Sequence, residues 1–146
     1  MSKKNIILSM LLIFFLFLAI HEYNSLNNLI KKNYEITFET NYQLLLEIDS
    51  LVSIDNFNNT LEEQQKINSL LEIIYNNSKE HTNYEIHTFT DFEYIYTLNY
   101  FEDYVYYMKS LLNTQILNNE SIDKLDDIKS KIIQTRKLYM PESYLK

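Results

Sequence analysis

The chain of 146 residues contains no glycine, no cysteine and one proline, Pro141, and its formal net charge at pH 7 is −7. Phosphate-binding loops, dinucleotide-binding turns and nucleophile elbows need glycine, because their backbone adopts positive φ or approaches the ligand too closely for a Cβ. These sites are therefore excluded, as are thiolate nucleophiles and cysteine zinc sites, and the acidic charge disfavours nucleic acid as a partner.

Residue usage is strongly biased. Asn, Ile, Lys, Tyr, Phe and Leu dominate, whereas alanine and arginine occur once each, as Ala19 and Arg136. Such a bias is typical of an AT-rich genome. The abundance of the 13 tyrosines therefore indicates nothing by itself, and only the positions of residues predict structure or function.

Near the N-terminus, Lys3 and Lys4 precede an apolar run at residues 6–20 whose only polar side chain is Ser9. As a helix this run is about 22 Å long, shorter than a hydrocarbon core of about 30 Å. Tyr23 can lie in the membrane interface beyond it. These features predict the transmembrane helix of a single-pass membrane protein.

The residues after this run distinguish an anchor from a cleaved signal peptide. Cleavage sites need small residues in an A-x-A-like pattern, but Ala19 is the only small residue in this part of the chain before Ser25. We therefore interpret residues 1–23 as an uncleaved signal-anchor, with a cleaved signal peptide as the alternative. Lysines before the run, with His21 and Glu22 after it, predict a cytoplasmic N-terminus and an extracytoplasmic body.

Beyond the anchor, apolar and aromatic residues recur every three or four positions, which predicts one face of a long helix. Residues 24–52 contain neither proline nor glycine, so this helix is expected to continue the anchor without a break. The residues of this face are Tyr23, Leu26, Ile30, Tyr34, Phe38, Tyr42, Leu45, Ile48 and Val52.

Two capping-box patterns predict the starts of the next two helices. Thr60 and Glu63 precede a second helix, whose apolar face holds Ile67 and Ile74. Thr90 and Glu93 form the same pattern before a third helix, which is expected to reach about residue 112.

A fourth helix is predicted to begin at Ser121 and must end before Pro141. Asparagine tolerates the left-handed conformation better than most residues, so pairs of asparagines predict the turns of this glycine-free chain. Residues 78–88 have no clear periodicity and are predicted to form a loop. The asparagine pairs lie at residues 58–59, 76–77 and 118–119.

Together these elements predict an all-α fold, in which an N-terminal transmembrane helix continues into an up-and-down helical bundle of about four helices. The predicted organisation is an anchor at residues 1–23, an extracytoplasmic bundle at residues 24–140 and a tail at residues 141–146. The alternative is a longer helical hairpin that completes its core by dimerising.

The third helix carries two neighbouring stripes, which widen its apolar and aromatic arc to about 200°. The expected core stripe is Tyr94, Leu98, Phe101, Val105, Met108 and Leu112. The second stripe, which begins at Phe89, either packs at the edges of the bundle or receives a protein partner or an apolar ligand. The residues of this possible partner-binding face are Tyr96, Tyr100, Tyr104, Tyr107 and Leu111.

No catalytic, cofactor-binding or metal-binding residues are predicted. His81, Glu85, His87 and Asp91 lie close in sequence, but the chain has neither an HExxH pattern nor a Glu-x-x-His pattern. Its paired carboxylates are adjacent in sequence and would point about 100° apart on a helix, which is typical of a solvated surface. An enzyme is therefore not expected.

The sequence thus favours a non-enzymatic, membrane-anchored helical protein that acts as an interaction or assembly subunit of a membrane-associated complex. Its expected partners are the membrane and another protein. Three alternatives stay open: an extracytoplasmic ligand-sensing bundle, a secreted effector after signal cleavage, and an organelle-encoded accessory subunit of a respiratory-type complex, which would place the chain in an organelle inner membrane.

Overall fold

The computed structural model describes residues 3–52, 60–82, 97–114 and 119–140. These residues contain four helices and no strand, which confirms the all-α class: α1 (Lys3–Leu51), α2 (Leu61–Thr82), α3 (Asn99–Thr114) and α4 (Asn119–Tyr139). The chain divides into two compact units, Met1–Asn33 and Tyr34–Lys146. The predicted end of the anchor at Tyr23 lies ten residues before this division.

α1 is continuous for 49 residues, so the predicted apolar helix runs into the following segment without a break. No proline or glycine interrupts it, and the asparagines between residues 24 and 28 remain helical. Among the described residues, α1 alone is long and apolar enough to be a candidate membrane span.

Interhelical pairs set the direction of α2 relative to α1. Near the end of α1, Glu47 pairs with Lys66 at 2.8 Å, early in α2. Further back in α1, the Asn41 amide donates a hydrogen bond to the Ser78 hydroxyl, 3.1 Å away and late in α2. Residue numbers fall in one helix as they rise in the other, so α1 and α2 are antiparallel.

The same reasoning gives the direction of α3. Glu72 pairs with Lys109, and Lys79 pairs with Glu102 at 3.3 Å, so α2 and α3 are antiparallel. α3 is consequently parallel to the bundle portion of α1.

α4 reverses the direction once more. Lys129 lies 2.7 Å from Asp49, and Arg136 lies 2.8 Å from Glu39 earlier in α1, so α4 is antiparallel to α1. The four helices therefore alternate in direction, which confirms the up-and-down bundle.

The core of the unit Tyr34–Lys146 is built from the predicted apolar faces. α1 begins to contribute at Tyr34, whereas Tyr23 and Leu26 on the same predicted face are about half exposed. Four residues of the predicted core stripe of α3 are confirmed as buried: Leu98, Phe101, Val105 and Met108. The buried apolar residues are Tyr34, Phe38, Leu45, Ile48, Val52, Ile67, Leu70, Leu71, Ile74, Leu98, Phe101, Tyr104, Val105, Met108, Leu111, Leu125, Ile128, Ile132 and Met140.

The capping box that predicted the start of α2 is confirmed. The backbone N–H of Thr60 donates to the Glu63 carboxylate at 2.8 Å, and the backbone N–H of Glu63 donates to the Thr60 hydroxyl at 3.3 Å. These two bonds satisfy donors that have no partner within the helix.

The predicted turn at residues 76–77 is wrong. α2 continues to Thr82, so residues 78–82 of the predicted loop are helical as well. The Asn77 amide donates to the Asn41 side-chain carbonyl at 3.0 Å, so this asparagine joins two helices and ends neither. Residues 58–59 and 83–88 lie outside the described part of the chain, and at the third pair Asn119 is already the first residue of α4.

The start of the third helix also differs from the prediction. Thr97 and Leu98 form a turn, and α3 begins at Asn99, not at Thr90. The N–H groups of Tyr100 and Phe101 bond to the carbonyls three residues earlier, at 3.3 and 3.0 Å, which is the tighter spacing of a turn before a helix. The predicted cap at Thr90 lies outside the described residues.

Candidate functional site

The predicted partner-binding face on α3 is largely occupied by the protein itself. Tyr104 is fully buried and Leu111 is 4% exposed, and both belong to the core. These two residues therefore pack within the bundle, and the partner-binding role of the face stays a prediction. The reason is that α3 packs against both α2 and α4, which needs a wide apolar arc.

The other residues of this face are placed differently. Tyr100 and Tyr107 are partly buried and pack against the core, while Tyr96 lies outside the described residues. Tyr106 is 70% exposed, and its ring contacts that of Tyr107 edge to face at 5.3 Å between centroids. Tyr106 lies about 200° around the helix from Tyr104, so it does not belong to the tyrosine stripe that the sequence predicts.

Tyr104 links three helices through a polar group at the end of its ring. Its hydroxyl donates to the Asp49 carboxylate on α1 at 3.1 Å. Lys129 on α4 pairs with the same carboxylate at 2.7 Å and lies 5.9 Å from the centre of the Tyr104 ring. Burial, and then the nearby Asp49 charge, raise the pKa of Tyr104 above its ordinary value, because both disfavour the phenolate.

A second ionic group joins α1 to α4. The Arg136 guanidinium donates to both carboxylate oxygens of Glu39, at 2.8 and 2.9 Å, and lies 4.5 Å from the centre of the Tyr42 ring. The Glu39 carboxylate raises the pKa of Arg136, so the guanidinium remains charged. This ion pair joins α1 to α4, and both oxygens of the Glu39 carboxylate accept hydrogen bonds.

A third polar group lies between α1 and α2. Asn41 and Ser78 are fully buried, and the Ser78 hydroxyl donates to the Ile74 carbonyl at 2.9 Å while it accepts from Asn41. Asn77 donates to the side-chain carbonyl of Asn41. The group is satisfied by its own hydrogen bonds and presents neither a nucleophile beside a base nor an acid–base pair.

An open groove of about 370 Å³ lies along α3 and α4. Its one ammonium group, on Lys131, is ion-paired with Asp127 at 2.6 Å. The groove combines two tyrosines with amide and hydroxyl groups, which is compatible with a small polar ligand but specifies none. The lining residues are Thr97, Tyr100, Lys131, Gln134, Thr135, Leu138 and Tyr139.

Within the described residues, no three side chains of His, Cys, Asp or Glu are grouped so that they could hold a metal ion. The side chains of His81, Glu85, His87 and Asp91, the sequence's weak metal candidates, lie outside the described part of the chain.

The apolar run of α1 is exposed along its whole length. Every residue from 5 to 26 is exposed, and the large apolar side chains of residues 6–20 are 41 to 71% exposed. This surface belongs to the unit Met1–Asn33, which has none of the buried apolar residues of the core. By length and composition the segment can cross a membrane.

The sequence matches no family model, and neither the curated proteins nor the solved structures include a significant match to it.

Proposed function

We propose that this chain is a non-enzymatic protein that residues 6–20 anchor in a membrane, and that its helical bundle acts as an interaction or assembly subunit of a membrane-associated complex. The observation that carries the proposal is that every residue of the apolar run on α1 is exposed. A contiguous apolar surface of this size is unfavourable in water and is typical of a membrane segment.

The composition of the core supports separate roles for the apolar run, as a membrane segment, and for the helical bundle. Among the described residues, every buried apolar residue lies at Tyr34 or beyond, so no residue of the apolar run belongs to the buried core. A segment that is apolar and yet unused in the core needs another environment, and a bilayer provides it.

The mechanism is positional. The anchor confines the bundle to the membrane surface, which raises its effective concentration toward other membrane proteins. A cytoplasmic N-terminus with an extracytoplasmic bundle stays a prediction, because Lys31 and Lys32 follow the run as Lys3 and Lys4 precede it. The exposed Tyr106 ring supports docking of a protein, since aromatic side chains are enriched at interfaces.

Carbonate extraction of membranes, followed by intact mass, tests the anchor. The full-length chain is expected in the membrane pellet with residues 1–23 retained. A soluble product cleaved near Ala19 would overturn the proposal in favour of a secreted protein.

A matched pair of variants makes this test specific. Leu12→Asp with Phe15→Asp is expected to release the chain from the pellet, because charged side chains are costly in the hydrocarbon core. Leu61→Asp with Leu138→Asp makes the same changes at side chains of the bundle that are 72 and 75% exposed, and should leave the chain in the pellet.

Complex formation is tested separately, by chemical cross-linking in the membrane and sizing in mild detergent. The proposal expects a discrete species larger than the chain alone. Tyr106→Ser should weaken it, whereas Ser50→Ala, at an exposed residue elsewhere in the bundle, should not. A chain that travels alone under both conditions would contradict the subunit role.

A further inference from the structure

We propose that Asp103 and Tyr106, on the outward face of α3, bind an arginine side chain of a different protein in the membrane-associated complex. The guanidinium of that arginine pairs with the Asp103 carboxylate and lies against the Tyr106 ring. This inference rests on the proposed interaction role and specifies the chemistry of the partner.

The bundle already contains one arginine site of this kind. Glu39 precedes Tyr42 by three residues on α1, and the two side chains together bind Arg136 of α4. The guanidinium donates to both carboxylate oxygens, at 2.8 and 2.9 Å, and its central carbon lies 4.5 Å from the centre of the Tyr42 ring. Residues three apart on a helix are neighbours on its surface, so the carboxylate and the ring reach the same cation.

A carboxylate and a tyrosine with this spacing also lie on α2. Glu72 is ion-paired with Lys109 of α3, and the ring centre of Tyr75 lies 5.5 Å from the Lys79 ammonium. The face of a tyrosine ring attracts cations, and a carboxylate beside the ring adds to that attraction. The pairs on α1 and on α2 therefore both have basic side chains of the bundle as partners.

The pair on α3 has the same order and spacing but faces solvent. Tyr106 is 70% exposed, and Asp103 is exposed as well. Within the described ranges, no hydrogen bond or ion pair engages the Asp103 carboxylate, and no cation lies over the Tyr106 ring. The edge-to-face contact with Tyr107 leaves at least one face of the Tyr106 ring open. The α3 pair thus lacks the cation that the other two pairs have.

Lysines near this pair are engaged by other carboxylates. Lys109, one turn further along α3, pairs with Glu72 of α2. Asp127 pairs with Lys131 of α4 at 2.6 Å and is the main cause of its raised pKa, to which Asp103 contributes least. Neither lysine forms an ion pair with Asp103, so its carboxylate is accessible to a partner.

The arginine has to come from another protein. Arg136 is the only arginine of the chain, and it is bound to Glu39 with its side chain 17% exposed. A second copy therefore has no unbound arginine to offer, and a net charge of −7 on each copy disfavours their association. Arginine fits the pair better than lysine, because its planar guanidinium can hold both oxygens of a carboxylate and stack on an aromatic ring.

The absence of cysteine allows this surface to be probed before the partner is known. Ser110 is exposed and lies one turn after Tyr106, so Ser110→Cys places a thiol beside the pair. The full-length variant in mild detergent is equilibrated in a thiol redox buffer with disulfides of cysteamine linked to arginine, to lysine or to citrulline, which has the shape of arginine without its charge. The fraction of mixed disulfide at equilibrium measures how well the surface binds each probe.

A matched thiol on α4 controls for the acidic charge of the protein. Ser130→Cys is exposed and lies one turn after the exposed Asp126, so it offers a carboxylate without a neighbouring tyrosine. The arginine probe should exceed the citrulline probe by about fivefold at residue 110 and by no more than about twofold at residue 130. The lysine probe should bind less than the arginine probe at residue 110.

Substitutions in the Ser110→Cys background test the two members of the pair. Asp103→Asn and Tyr106→Leu should each lower the arginine preference to the level at residue 130, whereas Tyr106→Phe retains the ring and should change it by less than about twofold. Equal preferences at residues 110 and 130, or a preference that Asp103→Asn leaves unchanged, would overturn the inference. A lysine probe that binds as well as the arginine probe would overturn the assignment of arginine.

The cross-linked species expected from the proposed function tests the pair in the membrane. Asp103→Asn should reduce its yield severalfold, whereas Asp126→Asn removes the same charge from an exposed position of α4 and should not. A complex that forms equally well with Asp103→Asn would overturn the inference and leave the subunit role intact. Absence of any complex would contradict the proposed function instead, and the thiol probes would still decide whether this surface prefers arginine.

Discussion

Tyr104 occupies a core position, yet its hydroxyl reaches a carboxylate. The ring is fully buried, and its hydroxyl donates to Asp49, which Lys129 also contacts. A buried phenol that is neutral and hydrogen-bonded is stable, whereas a buried phenolate beside a carboxylate is not. The sequence placed Tyr104 on an apolar arc but could not predict its acidic partner, which lies 55 positions earlier.

Tyr104 should limit stability at alkaline pH. Its pKa is raised in the folded chain above the ordinary value of 10.0, so the unfolded chain releases this proton first. Stability is then fully present below about pH 10 and falls above it, by up to about 1.4 kcal/mol per pH unit. Thermal unfolding followed from pH 8 to 11 should show a smaller decrease for Tyr104→Phe than for the unchanged chain. An equal decrease in both would contradict this role.

Asn41 is the buried amide on which the polar contact between α1 and α2 depends. Asn41→Ala removes the acceptor of Asn77 and the donor to Ser78, so the free energy of unfolding should fall by about 1–3 kcal/mol. Asn68→Ala, at an exposed position of α2, should change it by no more than about 0.5 kcal/mol. Urea unfolding in mild detergent measures both, and similar effects would show that burial of Asn41 is unimportant.

At the scale of helices, the start of α2 depends on residues that are close in sequence, whereas its end and its pairing with α1 depend on residues far apart in the chain. The start of α2 was predictable because Thr60 and Glu63 are three residues apart and bond to each other. The end of α2 was not, because Asn77 bonds to Asn41, 36 positions away. The weak preference of asparagine for turns is overcome when its amide gains a partner in another helix.

The contact between α4 and α1 should depend on the shape of the Arg136 guanidinium. It holds both oxygens of Glu39, and both side chains are mostly buried, so Arg136→Lys cannot reproduce the pair. A double-mutant cycle with Glu39→Gln and Arg136→Gln should give a coupling energy of about 1–3 kcal/mol. The exposed pair of Lys124 and Glu120 is the control, and its coupling should be clearly smaller. Equal coupling energies would contradict the structural importance of Arg136.

At the scale of the molecule, one continuous helix takes part in two units. α1 runs from Lys3 to Leu51, but its residues enter the core only from Tyr34. The two units therefore differ in where their apolar residues lie, since the first unit exposes them and the second buries them in its core.

This difference predicts that the bundle folds without the anchor. A fragment of residues 34–146 retains every buried apolar residue of the core, so it should be soluble, helical and cooperative in thermal unfolding. Circular dichroism and analytical ultracentrifugation check this prediction. A fragment that aggregates or unfolds without cooperativity would show that residues 1–33 contribute to the fold.

The sequence by itself determined the helical class, the apolar run and most of the core, because these follow from periodicities of a few residues and from the absence of proline and glycine. It identified the α3 tyrosines but not which of them are exposed. Tertiary structure decided that Tyr104 and Leu111 are buried while Tyr106 is exposed, because α3 contacts helices on two sides. It also decided the ionic and polar pairs between helices, since residues distant in the chain meet only when the bundle forms.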